Sequence, residues 1–478
     1  MRIIAFFLIL GALSACKKEA SNATLGLQHT YLKNSKQVNP TIKGIWKSIG
    51  NGYYLEARED SILLYSYTKS YCYKEKNDYL EGLLNSQSTF TLGQDTLRIY
   101  LTDYGEQTPD LQTKKDFLSV DRLPENCMAF SEMTRLDPKT QLDLYRETLE
   151  ENYAFKQERG LNWGAIFESY KDHSLTTEED LFEVMGEIAT LTKDQHTKVI
   201  SKEGIRRQYR VTPSALDVQS AFENQDEIKS LDEYFDLFFT TNKSNISDSL
   251  LIGGGQKILK DNMQWGKLNQ KVGYINIMSF AGFLDNNFTR AQQIDSIKTH
   301  MDEILYSLKD TEAIVVDISF NFGGYDASAL TIAGYFTDKP LHAYTSQVYM
   351  DGTFYDEDEI IIQPAKISFT KPVYVLMTDI SRSAAENFAM MMDPLPNVTL
   401  VGTNTLGILS GMLGKSISEF YTTYSNQRLL NSEGAFFEVK GVKPDIEIVV
   451  FPKEDVLNGH MKAVRQVLGL VENRKGQP

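Results

Sequence analysis

The sequence predicts an α/β layer fold for its C-terminal half, preceded by a helical unit and a small antiparallel β domain. Three observations carry this expectation. From Val272 onward, short apolar runs alternate with segments of helical period. Between residues 137 and 200, apolar side chains recur at helical spacing: Leu142, Tyr145, Leu149 and Tyr153, then Leu181, Val184, Met185, Ile188 and Leu191. Between residues 39 and 130 the period is two, as in 61–67 and 96–101, with turn signals at Asn51-Gly52, Asn77-Asp78 and Gly93.

In chain order, Met1-Arg2 precedes an apolar run at 3–13 that is too short for an ordinary membrane span and reads as an export signal. Residues 16–38 are polar and poor in aromatics, as a tether would be. The β domain follows at 39–130, and its many tyrosines are the kind that pack on half-buried strands. Its cysteines, Cys72 and Cys127, are compatible with one disulfide in an oxidising compartment or with two free buried thiols. Thr176-Thr177-Glu178-Glu179-Asp180 marks a helix start within the unit at 137–200. Residues 201–270 read as a connecting region in which Gly253-Gly254-Gly255 makes a tight turn.

The core spans 271–470. It opens with a strand at 272–277 and a helix whose apolar stripe is Phe288, Ala291, Ile294, Ile297, Met301, Ile304 and Leu308. A strand at 313–318, a helix at 326–336, strands at 372–377 and 398–402, and a closing helix at 455–470 complete the alternation. The net charge of −15 comes from acids that are spread along the chain, which favours solubility and speaks against a nucleic-acid partner. No metal-ligand cluster and no phosphate loop occurs in the sequence, so no metal and no cofactor is expected.

Ser383 stands where the strand at 372–377 gives way to a helix beginning Ala384-Ala385-Glu386. A helix N-terminus offers unpaired N–H groups and a positive dipole end to a developing oxyanion. The same position suits a helix cap, with Glu386 completing a capping box. Taken alone, this stretch favours the cap, because caps are common and nucleophiles are rare.

Four stretches in order resemble peptidase family S41, the tail-specific protease and tricorn-core superfamily. Leu191-Thr192-Lys193-Asp194-Gln195-His196-Thr197 resembles the Leu-x-Asp-Gly-His-Thr segment of the tricorn-like branch. Asp317-Ile318-Ser319-Phe320-Asn321-Phe322-Gly323-Gly324 resembles the Asp-x-Arg-x-Asn-x-Gly-Gly segment. Ser383-Ala384-Ala385-Glu386 resembles the nucleophile motif, and 437–445 resembles the segment ending in Gly-Val-x-Pro-Asp. The resemblance implies a crotonase-like (ClpP-like) core with Ser383 as nucleophile, His196 as base and Glu438 as its supporting acid, Glu433 being the fallback. It places the oxyanion hole at the backbone N–H groups of Gly323 or Gly324 and of Ala384. The lysine base of the tail-specific branch follows a Thr-x-Gly; here Thr405-Leu406-Gly407 is followed by Ile408, which cannot accept a proton. Two departures bear on the relay: Ser319 replaces the family's arginine, and Gln195 precedes the base. Members often carry a PDZ domain between these segments, and 201–270 shows no convincing carboxylate-binding loop.

Leu13-Ser14-Ala15-Cys16 resembles a bacterial lipobox, which implies a signal peptide at 1–15 and lipidation at Cys16. The expectation is a serine endopeptidase of the cell envelope, held by its lipid to the outer membrane and facing the periplasm or the cell surface. Its substrates would be peptides or unfolded proteins. The alternative is an inactive binding protein for a hydrophobic ligand or peptide on the same fold.

Overall fold

Three core strands, Val272–Ile277, Ala313–Asp317 and Val373–Met377, are buried at every residue. Near-continuous Val, Ile and Leu runs are what a parallel strand covered on both faces requires. They are the centre of a seven-stranded sheet ordered Gln256–Ile258, Met263–Lys267, Val272–Ile277, Ala313–Asp317, Val373–Met377, Val398–Gly402, Ile446–Glu447. The first three strands pair antiparallel and the rest parallel. Alternate residues serve opposite faces. Ile275, Ile314, Val316 and Val375 pack with the helices Arg290–Leu308, Asp326–Ala333 and Ala384–Met392. Tyr274, Val315 and Leu376 pack with Phe238 of the helix Leu231–Asn245 and with Val464 and Val467 of the closing helix Gly459–Asn473.

The computed structural model describes residues 30–34, 36–76, 84, 88–101, 113–285 and 288–473. The expected signal peptide, Cys16, most of the tether and the Asn77-Asp78 turn lie outside the described residues. The last part of the expected tether is not free chain. Thr30–Tyr31 pairs with Thr89–Leu92, and Leu32 and Val38 are buried, because the sheet needs their apolar surface. The connecting region differs as well. It forms two helices, Pro213–Glu223 and Leu231–Asn245, and its last strands at 256–267 extend the core sheet, so the core begins before residue 271.

The N-terminal sheet has nine strands, antiparallel except for its last pair, in which Cys72 lies opposite Cys127 and is joined to it by a disulfide. The β domain is fused to the core rather than tethered to it. Lys415 is fully buried and its ammonium donates to the Gly52 carbonyl at 2.7 Å, while burial pulls its pKa down to about 8. Ser416 N–H donates to Glu75 at 2.9 Å across the same junction. A second, four-stranded sheet joins Lys198–Ile200 and Arg206–Gln208 to the late strands Met412–Ile417 and Phe420–Ser425. No helix among the described residues is long and apolar enough to cross a membrane.

The disulfide closes a sequence separation of 55 residues. Replacing Cys72 and Cys127 together by serine is expected to lower stability by about 2–4 kcal/mol. Urea unfolding of the oxidised wild type beside the double variant measures it, and equal midpoints would refute it.

Candidate active site

Ser383 follows the strand Val373–Met377 and a tight turn, and it caps the helix Ala384–Met392. Its backbone lies at φ 58°, ψ −128°, a conformation an L-residue holds only when its surroundings impose it, at a cost of about 1–3 kcal/mol. Ser383 N–H donates to the Ile408 carbonyl at 3.0 Å and also faces the Glu386 carboxylate at 3.3 Å. The Ser383 hydroxyl makes no side-chain cap hydrogen bond to the helix. Glu386 is fully buried and collects three further donors: Thr405 Oγ1 at 2.6 Å, Gly407 N–H at 2.6 Å and Ile408 N–H at 2.7 Å. Burial pushes its carboxyl up to about 7, with those donors pulling the other way. The capping box expected at this helix therefore exists on its Glu386 side, and Glu386 serves the 405–408 loop as much as the helix.

Gly323 lies against the nucleophile at φ 90°; a Cβ on it would sit 2.7 Å from the Ser383 Cβ and 2.6 Å from the Arg382 carbonyl oxygen. Only glycine allows this approach. Its N–H, however, donates to Asn321 Oδ1 at 2.8 Å, so it is not available to an oxyanion. That corrects one of the two glycine expectations. The N–H groups of Gly324 and Ala384 form no hydrogen bond among the described residues, so both are free to donate. Ser319, in place of the expected arginine, donates its hydroxyl to Asp317 at 2.6 Å. Asp317 also receives Tyr274 at 2.5 Å and His460 at 2.6 Å, which fastens the closing helix to the core sheet. The neighbouring His460 helps hold the Asp317 carboxyl below the usual range against the burial that would raise it.

His196 comes from a different unit. The helix Glu178–Leu191 ends, Lys193 turns at φ 53°, and the chain enters the strand Lys198–Ile200. Asp194 is buried under this turn and accepts His196 N–H at 2.8 Å and Thr197 Oγ1 at 3.1 Å. Thr423 of the neighbouring strand donates to the His196 carbonyl at 2.6 Å. The backbone of the base is thus held on both sides, while its Nδ1 is buried without a partner. Burial pulls the imidazole down to about 4, with Asp194 pulling it back up. His196 and Ser383 line one cavity of about 350 Å³, together with Gly324, Asp326 and Asn387.

Gln195 has a specific task. Its Oε1 accepts Arg382 Nη1 at 2.6 Å, and the Arg382 guanidinium lies 4.6 Å over the Phe322 ring. The residue before the base thereby holds the residue before the nucleophile.

Glu438 is buried but makes no hydrogen bond to His196. It accepts Arg159 Nη2 at 3.1 Å, Leu409 N–H at 2.7 Å and Ser410 N–H at 2.9 Å. The expected supporting acid is therefore an anchor for the 409–410 backbone, and the acid nearest the base by contact is Asp194. Glu433, the fallback, lies on an exposed turn. Burial and the neighbouring Asp194 push the Glu438 carboxyl up to about 8 against the pull of Arg159. Arg159 itself stays charged, since the carboxylates of Asp194 and Glu438 outweigh its burial. Arg159 and Arg382 escaped the sequence reading. Arg159 follows a loop with no periodic pattern, and a lone arginine carries no signal of what it will meet in the fold. Ile408 is buried, and Lys415 is bound at the β-domain junction, so neither supplies a base here.

Removing the Glu438 carboxylate would leave two backbone N–H groups unanswered and take from the buried Arg159 one of the two carboxylates that act on it. Glu438→Ala is expected to cost about 3–5 kcal/mol of unfolding free energy, with Glu438→Gln losing less. Denaturant titration gives both values, and a loss under about 1 kcal/mol for the alanine variant would contradict the anchoring role.

Residues 271–448 match the family model described as peptidase family S41. A stretch of 180 residues is 27% identical to the carboxy-terminal processing protease CtpA of Bacillus subtilis (strain 168), covering 37% of this chain. The match spans only about a third of that relative, 35% of its length. Among solved structures, a candidate peptidase from Parabacteroides merdae ATCC 43184 superposes with a TM-score of 0.55 at 20% identity, covering 70% of this chain and 97% of that one. Mature CPAF superposes with a TM-score of 0.50 at 14% identity, covering 72% and 98%. These two likenesses speak to the fold.

Proposed function

We propose, from a core that belongs to peptidase family S41, that this chain is a serine endopeptidase working through Ser383 and His196. The observation that carries this reading is their shared cavity: a serine held at strained backbone beside two unused N–H groups lines the same space as a buried imidazole whose pKa burial pulls down to about 4. In this reading His196 takes the Ser383 proton as the hydroxyl attacks a peptide carbonyl. The new C–O bond forms, the carbonyl electrons move onto oxygen, and Gly324 and Ala384 N–H groups receive the oxyanion. His196 then gives the proton to the leaving amine, the C–N bond breaks, and an acyl-enzyme remains for water to cleave by the same steps. Asp194 stabilises the transient imidazolium across the turn that holds the base. Substrates are peptides or unfolded proteins. The lipobox-like Leu13-Ser14-Ala15-Cys16 supports placing the enzyme in the cell envelope on a lipid at Cys16.

A fluorophosphonate probe is expected to label Ser383 in the wild type and not in Ser383→Ala. Both Ser383→Ala and His196→Ala are expected to lose at least about 1,000-fold in kcat/KM on a mixed peptide library. An unlabelled, inert wild type would instead favour a binding protein on this fold.

The depressed base makes a pH prediction. Imidazole accepts a proton only when neutral, so a folded pKa near 4 keeps His196 competent below the ordinary histidine range. The acid limb of kcat/KM is expected below about pH 5.5. A limb centred near pH 6.5 would contradict it.

A further inference from the structure

The cavity beside Ser383 holds two carboxylates that the catalytic reading leaves unused, Asp326 and Asp358, and Asp358 faces Lys114. Asp326 opens the helix Asp326–Ala333 two residues after Gly324 and lines the cavity with Ser383 and His196. Asn387, one helical turn beyond Ser383, donates its amide N–H to Asp326 Oδ1 at 2.9 Å. Residues four apart on a helix face lie roughly 6 Å apart, so this carboxylate is within reach of a side chain next to a bond attacked by Ser383. Its second oxygen has no partner among the described residues and is not among the enclosed unpartnered atoms, which leaves it open to the cavity. Asn387, only 2% exposed, also leaves its amide oxygen without a partner.

The other charged side chains lining the cavity are Lys114, Asp358 and Arg290. Lys114 faces Asp358 at 3.5 Å, and Asp358 also lies 3.9 Å from Arg98. Arg290 lies 4.1 Å over the Tyr325 ring. For Asp326 the opposing influences are burial, which raises its carboxyl, and the Asn387 hydrogen bond, which lowers it. Leu330 and Leu409 supply apolar wall beside it. A half-buried carboxylate with an open oxygen and an apolar approach suits a cation carried on a methylene stem.

We propose that Asp326, held by Asn387, is the specificity-determining residue of a subsite for a lysine or arginine side chain adjacent to the scissile bond. The proposal rests on the peptidase reading and deepens it.

The test compares quenched fluorescent peptides that differ only in lysine, arginine, methionine or glutamate at one position flanking the cut. With the full chain, the basic peptides are expected to have about 10- to 100-fold higher kcat/KM than the methionine peptide. Asp326→Asn should bring that ratio near one, and Asp326→Glu should restore part of it. The same peptides titrated onto the Ser383→Ala protein read binding without turnover, where the basic peptides should bind more tightly and Asp326→Asn should abolish the difference. Hydrolysis without a basic preference, or a preference that survives Asp326→Asn, would overturn the subsite while leaving the peptidase standing. Absent hydrolysis and labelling, with Asp326-dependent binding of basic peptides intact, would overturn the peptidase and leave the subsite as a binding site. Loss of all three would remove both.

Discussion

The buried carboxylate of Glu386 is the constraint on which the site depends. One side chain answers four donors from two segments: Ser383 N–H, the Thr405 hydroxyl, and the N–H groups of Gly407 and Ile408. Leaving such donors buried and unanswered costs about 1–3 kcal/mol each. The segment after the nucleophile helix is therefore bound to return beside Ser383, and the Ile408 carbonyl accepts Ser383 N–H in exchange. This network holds the positive φ of Ser383. Gly323 fits against it because it has no Cβ. Glu438 repeats the device one step further on, gathering Leu409 and Ser410 N–H with Arg159. Two buried acids thus fix a stretch of loop that contains no regular structure of its own.

Ser383 and His196, the proposed nucleophile and base, reach this loop from different sheets, so their alignment needs a link between units. The structure supplies it three times. Gln195 binds Arg382, and Arg159 reaches Glu438 and the Gly407 carbonyl. The strand carrying Thr423 runs beside Lys198–Ile200 and holds the His196 carbonyl. The base is placed by the late part of the chain as much as by its own helix. Gln195 and Ser319 each find a partner here, although Gln195 Nε2 stays buried without one. Gln195 joins the two catalytic segments, and Ser319 completes the shell of Asp317.

Much of the fold is legible in the sequence because its signals are local. The strand at 313–318 reads directly as a near-continuous apolar run and the stripe from Ile294 to Leu308 as one of period 3.6, and the glycine pair reads as a close approach. The positions of Ser383, His196 and the buried core strands follow from such patterns joined to family order. What the sequence hides is long-range. The pairing of 256–267 with the core sheet comes from short strands with little periodicity. The role of Glu438 depends on Arg159, which is far away in sequence and in a patternless loop. Gly323 reads as an oxyanion donor until Asn321 is seen to take its N–H. Hydrogen-bond ownership is a tertiary property, and residue type alone does not assign it.

The same burial that makes His196 a competent base also opposes the step it must perform. A desolvated imidazole resists charge, which keeps it neutral and ready at low pH. When it takes the serine proton in the proposed reaction, the imidazolium bears the full cost of that environment. Arg382, Lys198 and Arg159 add repulsion, and Asp194 is the one acid among the groups acting on the ring. Asp194 is itself held ionised by Arg159 and by its bonds to the 194–197 turn, so its charge is fixed before the reaction begins. A preset anion needs no reorganisation as the imidazolium forms, and such preorganisation is the larger part of electrostatic catalysis. In this arrangement Arg159 acts at two removes: it keeps Asp194 charged for the base and Glu438 bound for the loop. A single buried cation therefore contributes both to the electrostatics of the imidazole and to the shape of the loop beside the serine.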